Sequence, residues 1–322
     1  MSHDLLDICA CLTEFAEEAG EIILKAQRSR PVITQKKNSK SCVASASSLS
    51  SANRLPALAA DIVTPTDQEV EEFVRQSLAK RYPDLEFIGE ETYKTGMQIS
   101  DRPTFIVDPI DGTSNFVHSF PDVCISIGLL IVRRPAVGVV YNPFRQELWY
   151  AARGHGAFTQ IFHGERQKLP FVSAPLQGLD AASVGIEWGS DKEGPNFKLN
   201  LVVFTTLART AATGSRFINS LRCTGSAAIT ICRVATGQQD AFWECGCWAW
   251  DVAGAWCILV ESGGIMIDGH PGQWTAPIDN RRYLAGRPAT TGQRKFIQDF
   301  WSVIGENRST YGPPDVRVSD SN

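Results

Sequence analysis

The sequence has no apolar run approaching the ~20 residues that a membrane-crossing helix needs. It also lacks a basic excess. The formal net charge is −4, whereas a nucleic-acid binder is expected to carry strong positive charge. The start, Met1-Ser2-His3-Asp4, has neither the basic residues nor the apolar stretch of a secretory leader, so a cytoplasmic address is expected. A disulfide framework is missing as well: the 9 cysteines are an odd number without framework spacing, which fits reduced thiols. Cys245-Gly246-Cys247 is the one close pair, and no CxxC partner or His pair accompanies it. That argues against zinc and for small buried apolar side chains. No internal repeat is visible. What is present suffices for a sizeable core: 322 residues, 43% hydrophobic and 20% charged, enough for one large domain or two closely packed halves.

Along the chain, Leu5, Ile8, Leu12, Phe15, Ala19, Ile22 and Ala26 recur at three and four, predicting an amphipathic helix over residues 4–28 that Pro31 ends. Residues 36–60 are low in complexity, with Lys36, Lys37 and Lys40 leading into a Ser/Ala run, and read as a mobile inserted loop. Thr66 and Glu69 form a capping-box pattern for a second helix, with Val70, Phe73, Val74 and Leu78 on its apolar face. Strand-like pieces follow at Phe87-Ile88, 104–107, 123–132, 137–141 and 148–151, with turn signals at Arg134-Pro135 and Asn142-Pro143. Further helices are expected at about 226–235, 251–261 and 292–304, and a disordered tail over 305–322. The elements mix without regular alternation, which predicts an α+β fold of stacked layers. A single domain over residues 1–304 is expected, with an N-terminal half to about 170 and a C-terminal half over 171–304.

The chemistry centres on Asp108-Pro109-Ile110-Asp111-Gly112-Thr113, directly after the apolar strand Phe105-Ile106-Val107. Pro109 keeps Asp108 extended, because the residue before a proline is pushed out of helical space. Gly112 lets the chain turn sharply, and a helix starting there would offer unpaired backbone donors to a phosphate. Alone, the segment is equally compatible with a turn carrying two solvated acids. Other acids share the pattern: Glu90 follows the short strand Phe87-Ile88, Asp251 stands at an expected helix start, and Asp61 and Asp67 flank another. Capping explains each of the last three as well. If Glu90, Asp108, Asp111 and Asp251 converge, each pair of like charges at 4 Å repels by about 4 kcal/mol at an effective dielectric of 20. Several such pairs would consume most of a fold's stability of ~5–15 kcal/mol. Hard divalent cations relieve this, and an all-oxygen set selects magnesium or manganese.

The order of Asp61-Ile62-Val63-Thr64 with Asp67, Gly89-Glu90-Glu91, Asp108 through Phe116, Asp251-Val252-Ala253-Gly254 and Glu261-Ser262-Gly263-Gly264 resembles the inositol monophosphatase family over roughly residues 5–300. The resemblance implies a layered αβαβα sandwich, usually homodimeric, and a magnesium-dependent phosphoric monoester hydrolase acting on a small polyol phosphate. It implies two or three Mg2+ per site, replaceable by Mn2+ and inhibited by Li+. By the same resemblance Glu90, Asp108 and the Ile110 carbonyl hold one cation, and Asp108, Asp111 and Asp251 the second. Thr113, with Asp67 and Glu90, orients and deprotonates the attacking water. The substrate lies against Asp111, Gly112, Thr113, Ser226, Ala227, Glu244 and Asp251, although Glu244 also reads as a solvated loop acid.

Two departures stand out. The family's lysine before Asp61-Ile62-Val63-Thr64 has no unique counterpart among Lys36, Lys37 and Lys40. Trp248 occupies a position often held by His, within the aromatic stretch from Trp243 to Trp250. That stretch resembles fungal members, including those linked to quinate utilisation. Core packing is expected for Trp250 and Trp256, and a pocket-lining place for Trp243 and Trp248. Asp-Gly-Thr is followed by Ser114-Asn115-Phe116, with His118 and Phe120-Pro121 beyond, as in the inositol-type group. The competing readings are a phosphatase of histidinol phosphate or of a nucleotide 3′-phosphate, and a non-catalytic sensor of a phosphorylated metabolite.

Overall fold

A computed structural model describes residues 4–29, 35–36, 62–210 and 217–312. Asp61, Lys37, Lys40 and most of the 36–60 segment lie outside these, and so does the end of the tail from residue 313. Of Lys36 the backbone is described: β1 (Gln35–Lys36) pairs antiparallel with β2 (Ile62–Val63).

The first helix, α1 (Leu5–Arg28), starts where Asp4 accepts the Leu6 N–H at 2.9 Å. It buries Ile8, Leu12, Ala16, Ala19 and Ile23 along one stripe. The second, α2 (Pro65–Arg81), begins earlier than the sequence predicts. Its cap is Thr64, with Asp67 completing the capping box and Pro65 in the first turn, so Thr66 and Glu69 are interior positions.

A seven-stranded sheet runs in the order β3 (Glu86–Gly89), β4 (Thr104–Asp111), β5 (Cys124–Ile131), β6 (Arg134–Asn142), β7 (Glu147–Ala152), β8 (Ala157–Ile161) and β9 (Gln167–Lys168). Both faces of its central strands are covered. Phe105 and Val107 of β4 pack toward α1 and α2, whereas Ile106 between them joins the core on the opposite face. Two-sided burial explains why these strands read as continuous apolar runs rather than alternating ones. The β5–β6 hairpin turns at Val132 and Arg133, both with positive φ, so Arg134-Pro135 already lies within β6 and is not the turn.

The second sheet has five strands in the order β11 (Ser220–Arg222), β10 (Ser183–Ile186), β12 (Ala241–Cys245), β14 (Arg282–Gly286) and β13 (Ile265–Asp268). Helices α5 (Ala227–Thr236) and α6 (Ala249–Glu261) fill the layer between the sheets. On the outer face of the second sheet, α4 (Gly194–Ala208) and α7 (Gln293–Ile304) supply Leu199, Val203, Leu207, Phe296 and Phe300 to a third core. The result is the expected αβαβα stack. The sequence does not announce α4, because Leu201, Val202 and Phe204 on its exposed side blur the amphipathic contrast.

The tail expected to be disordered from residue 305 is held through Gly312. Ser309 N–H donates to His270 Nε2 at 2.8 Å, Thr310 N–H to Asn196 Oδ1 at 2.7 Å, and Arg282 Nη1 to the Tyr311 carbonyl at 2.9 Å.

The two sheets are joined by a close helix contact. In α6, Gly254 lies against the β5–β6 pair, and those strands present Gly128 and Gly138 to it. A Cβ at Gly128 would fall 2.8 Å from Ala253 Cβ, and one at Gly254 would fall 3.0 Å from the Ile127 carbonyl oxygen. Three glycines thus allow backbone to meet backbone, and this approach carries Asp251 toward the end of β4.

Candidate active site

Strand β4 does not stop at Val107. It continues through Asp111, with its pairing to β5 shifting register between Asp108 and Asp111. The irregularity at Pro109-Ile110 allows two acids on one strand end, both buried, to serve one site. Asp108 Oδ1 accepts the Ile110 N–H at 3.0 Å. Gly112 follows at φ 94, where a Cβ would meet the Asp122 carbonyl oxygen at 2.8 Å. That strained conformation and lack of room explain the glycine. The short helix α3 (Thr113–Val117) begins immediately after it.

Glu90 stands just past β3, which pairs parallel with β4, so it arrives beside Asp108. Its loop is fixed by Glu71, a buried acid of α2 whose oxygens accept the N–H groups of Glu91 at 2.6 Å and Thr92 at 2.8 Å. Asp251 stands in the first turn of α6, where Oδ2 accepts the Trp248 N–H at 2.7 Å. It is both a helix cap and a site residue; the two readings of it are not exclusive.

Asp108 joins two of the other three acids. Asp108 shares hydrogen bonds with Glu90 and with Asp251. Burial, then the charges of Glu90, Asp111 and Asp251, push the Asp108 carboxyl well above its ordinary value. Burial lifts Asp251 likewise, with Glu90 and Asp111 adding to it. Asp111 is raised to about 6 by burial, against the opposing pull of bonds from Ser226 and Ala228. Its Oδ2 accepts Ser226 Oγ–H at 2.6 Å and Ala228 N–H at 2.7 Å, so the start of α5 grips this carboxylate. Among the described residues, no three His, Cys, Asp or Glu side chains aim donor atoms at one common point. Asp108 is thus the point at which Glu90 and Asp251 come together, with Asp111 near enough for its charge to raise both Asp108 and Asp251.

Thr113 Oγ1 lies 3.2 Å from Asp67 Oδ1 and 3.1 Å from the Ile110 carbonyl. Asp67 Oδ2 accepts from Thr64 N–H at 2.9 Å and Thr64 Oγ1–H at 2.6 Å. Burial lifts this carboxyl to about 6. Asp67 therefore links the start of α2 to the start of α3.

The remaining expected positions divide. Ser226 Oγ is committed to Asp111 and to capping α5, where it accepts the Ile229 N–H at 3.2 Å; Ala227 follows it in the first turn. Glu244 is not a solvated loop acid. It sits in β12 with Oε2 buried and without a partner, its carboxyl raised by burial and by Glu187. Trp243 is fully buried in the third core and lines no pocket, its indole N–H donating to the Gly269 carbonyl at 3.2 Å. Trp250 is core, as expected. Trp248 is half-buried and stacked on Trp250, with ring centroids 5.1 Å apart.

The sequence reading misses Glu187. It follows β10, whose parallel register with β12 sets Ile186 opposite Trp243 and so places Glu187 beside Glu244. Its oxygens accept Thr224 N–H at 2.8 Å and Gly225 N–H at 3.0 Å, fixing the loop into α5. The signal was there: an acid directly after the apolar run Val184-Gly185-Ile186, as Glu90 follows Phe87-Ile88. Glu71 gave no such signal, because on an amphipathic helix it reads as a solvent-facing acid.

Comparison with known proteins fits this geometry. The model of the inositol monophosphatase family matches residues 4–304. Inositol monophosphatase 2 of Saccharomyces cerevisiae is 43% identical over 253 residues, covering 76% of this chain and 84% of that protein. Protein qutG of Emericella nidulans is 32% identical, covering 94% of each. Among solved structures, the extragenic suppressor protein suhB from Bartonella henselae superposes with a TM-score of 0.70 at 22% identity, over 94% of this chain and all of that one, which speaks for the fold. Among the described residues no helix is long and apolar enough to cross a membrane. The chain belongs to the inositol monophosphatase family and is a phosphoric monoester hydrolase.

Proposed function

We propose that the chain hydrolyses inositol monophosphate to inositol and phosphate in a magnesium-dependent reaction. The carrying observation is the gathering of Glu90, Asp108, Asp111 and Asp251 beside the Thr113–Asp67 pair. Four carboxylates gathered this closely are a donor set for hard cations, and all their donors are oxygen. Glu90, Asp108 and the Ile110 carbonyl would hold one Mg2+, and Asp108, Asp111 and Asp251 a second. Bound there, magnesium supplies Lewis-acid polarisation of the phosphoryl group and neutralises charge on the leaving oxygen. Mn2+ fills the same role, and Li+ competes for one of the positions.

The rest of the chemistry belongs to the chain's own groups. A water near Thr113 Oγ1 has a proton route through that hydroxyl to Asp67 Oδ1, 3.2 Å away. The backbone at Gly112 and Thr113 opens toward the phosphate, and the left-handed φ at Gly112 sets its direction. The unpartnered oxygen of Glu244 is an acceptor for a polyol hydroxyl. Ala227 and the Ser226 backbone frame the same ring, while the Ser226 hydroxyl steadies Asp111. A homodimer in the cytoplasm completes the proposal, and sedimentation of the purified protein tests the assembly.

Two results are expected here. Thr113→Ala lowers kcat by about 10²–10⁴-fold, whereas Thr113→Ser retains most of it, with melting temperatures unchanged. Steady-state phosphate release reads both, and full turnover by the alanine variant would remove Thr113 from the proton route. Magnesium at about a hundred times its Kd is expected to stabilise the fold by about 2.7 kcal/mol, seen as a raised melting temperature that a chelator reverses. Chelation also stops turnover, and lithium slows it. A melting temperature indifferent to magnesium would contradict the cation assignment.

A further inference from the structure

The family match ends at residue 304, yet the chain continues in ordered contact with the edge of the site. Ser309, Thr310 and Tyr311 are pinned by His270, Asn196 and Arg282. This seats the Tyr311 ring against Arg281, whose guanidinium carbon lies 4.8 Å from the ring centroid. The same guanidinium carbon lies 3.5 Å from the Trp248 ring centroid. Arg281 also donates through Nη2 to the Gly246 carbonyl at 2.7 Å, and its carbonyl accepts the Gly246 N–H at 2.7 Å. Gly246 is at φ 125, and a Cβ there would fall 3.4 Å from the Tyr311 ring, so the turn after β12 rests directly on the tail.

Trp248 links this stack to the site. Its N–H is held by Asp251, and its ring lies 5.4 Å from Tyr93, three residues beyond Glu90. The indole therefore bridges the Glu90 loop and the start of α6, alongside the strand that carries Glu244. A planar cation in contact with two rings has a defined orientation, and removing one ring loosens it.

We propose that Tyr311 is a positioning residue for substrate selection: through Arg281 it holds Trp248 as a fixed wall of the polyol pocket. The proposal rests on the polyol-phosphate reading given above. It assigns to a segment beyond the family match a part in choosing a rigid ring substrate over a flexible one.

The test uses the full chain with saturating magnesium, measuring kcat and KM for inositol 1-phosphate and for glycerol 2-phosphate. Tyr311→Ala is expected to raise KM for inositol 1-phosphate about tenfold, with kcat within about twofold and glycerol 2-phosphate little affected. Tyr311→Phe, which keeps the ring, is expected to behave as the unchanged protein. Arg281→Lys, which removes the planar group, is expected to reproduce the alanine effect, and the double variant to add nothing further. Unchanged KM in Tyr311→Ala, a loss confined to kcat, or effects that multiply in the double variant would overturn the inference while leaving the phosphatase reading intact. No turnover of either ester by the unchanged chain would overturn both.

Discussion

Asp108→Asn is expected to lower turnover by about 10³-fold or more while leaving the metal-free fold as stable as before, or more stable. The side chain is nearly isosteric, and its oxygen can still accept the Ile110 N–H. What changes is charge. Asp108 is buried among Glu90, Asp111 and Asp251, which all disfavour its ionised form. A neutral amide removes that repulsion, worth up to about 4 kcal/mol for each close pair. It also removes the carboxylate proposed to bridge both cation positions. Activity and metal-free stability should therefore move in opposite directions. Thermal melts with and without magnesium, beside phosphate-release rates, separate the effects. A variant that loses activity because it unfolds would instead show a lowered melting temperature in chelator. Full activity in a folded Asp108→Asn protein would place the chemistry elsewhere.

Gly138→Ala is expected to be strongly destabilising, costing about 3 kcal/mol or more. The added Cβ would lie inside the contact distance of the Gly254 carbonyl oxygen and 2.8 Å from Cys257 Cβ. Backbone on both sides leaves nothing flexible to yield, so α6 must move off β5 and β6. Because Asp251 rides on α6, surviving molecules should also bind magnesium more weakly. Gly272→Ala is the control. That glycine, unlike Gly138, has positive φ, but it meets nothing within 4 Å, so it carries backbone strain without the packing clash. Chemical denaturation should show a much lower midpoint for Gly138→Ala, with the control losing about 1 kcal/mol. Equal midpoints would mean that the helix-to-sheet contact tolerates a side chain.

The layers were legible where physics is local. The stripe from Leu5 to Ala26 places α1, and the spans expected at 226–235 and 292–304 place α5 and α7, within a residue or two of their observed bounds. The apolar runs of β4 to β7 follow from burial on both faces of the first sheet. Elements failed where tertiary contact overrides pattern. The cap of α2 lies at Thr64 because Asp67 reaches back to it, and α4 shows no clear stripe because apolar residues also occupy its exposed side. In the candidate site, acids directly following apolar strands were visible: Glu90, Asp108 and Asp111. Glu187 carries the same mark. Glu71 and Arg281 act through loops brought together by the fold, so no spacing along the chain marks them. The tail to Gly312 reads as disordered because polar composition resembles disorder when the partners, His270 and Asn196, lie far away in sequence.

The most direct test of the central claim is phosphate release by the purified chain from inositol 1-phosphate, glycerol 2-phosphate, histidinol phosphate and adenosine 3′,5′-bisphosphate, each with magnesium and with chelator. The expected result is turnover that requires magnesium and is fastest on inositol 1-phosphate. Turnover that survives the chelator, or that is led by the bisphosphate or by histidinol phosphate, would contradict it.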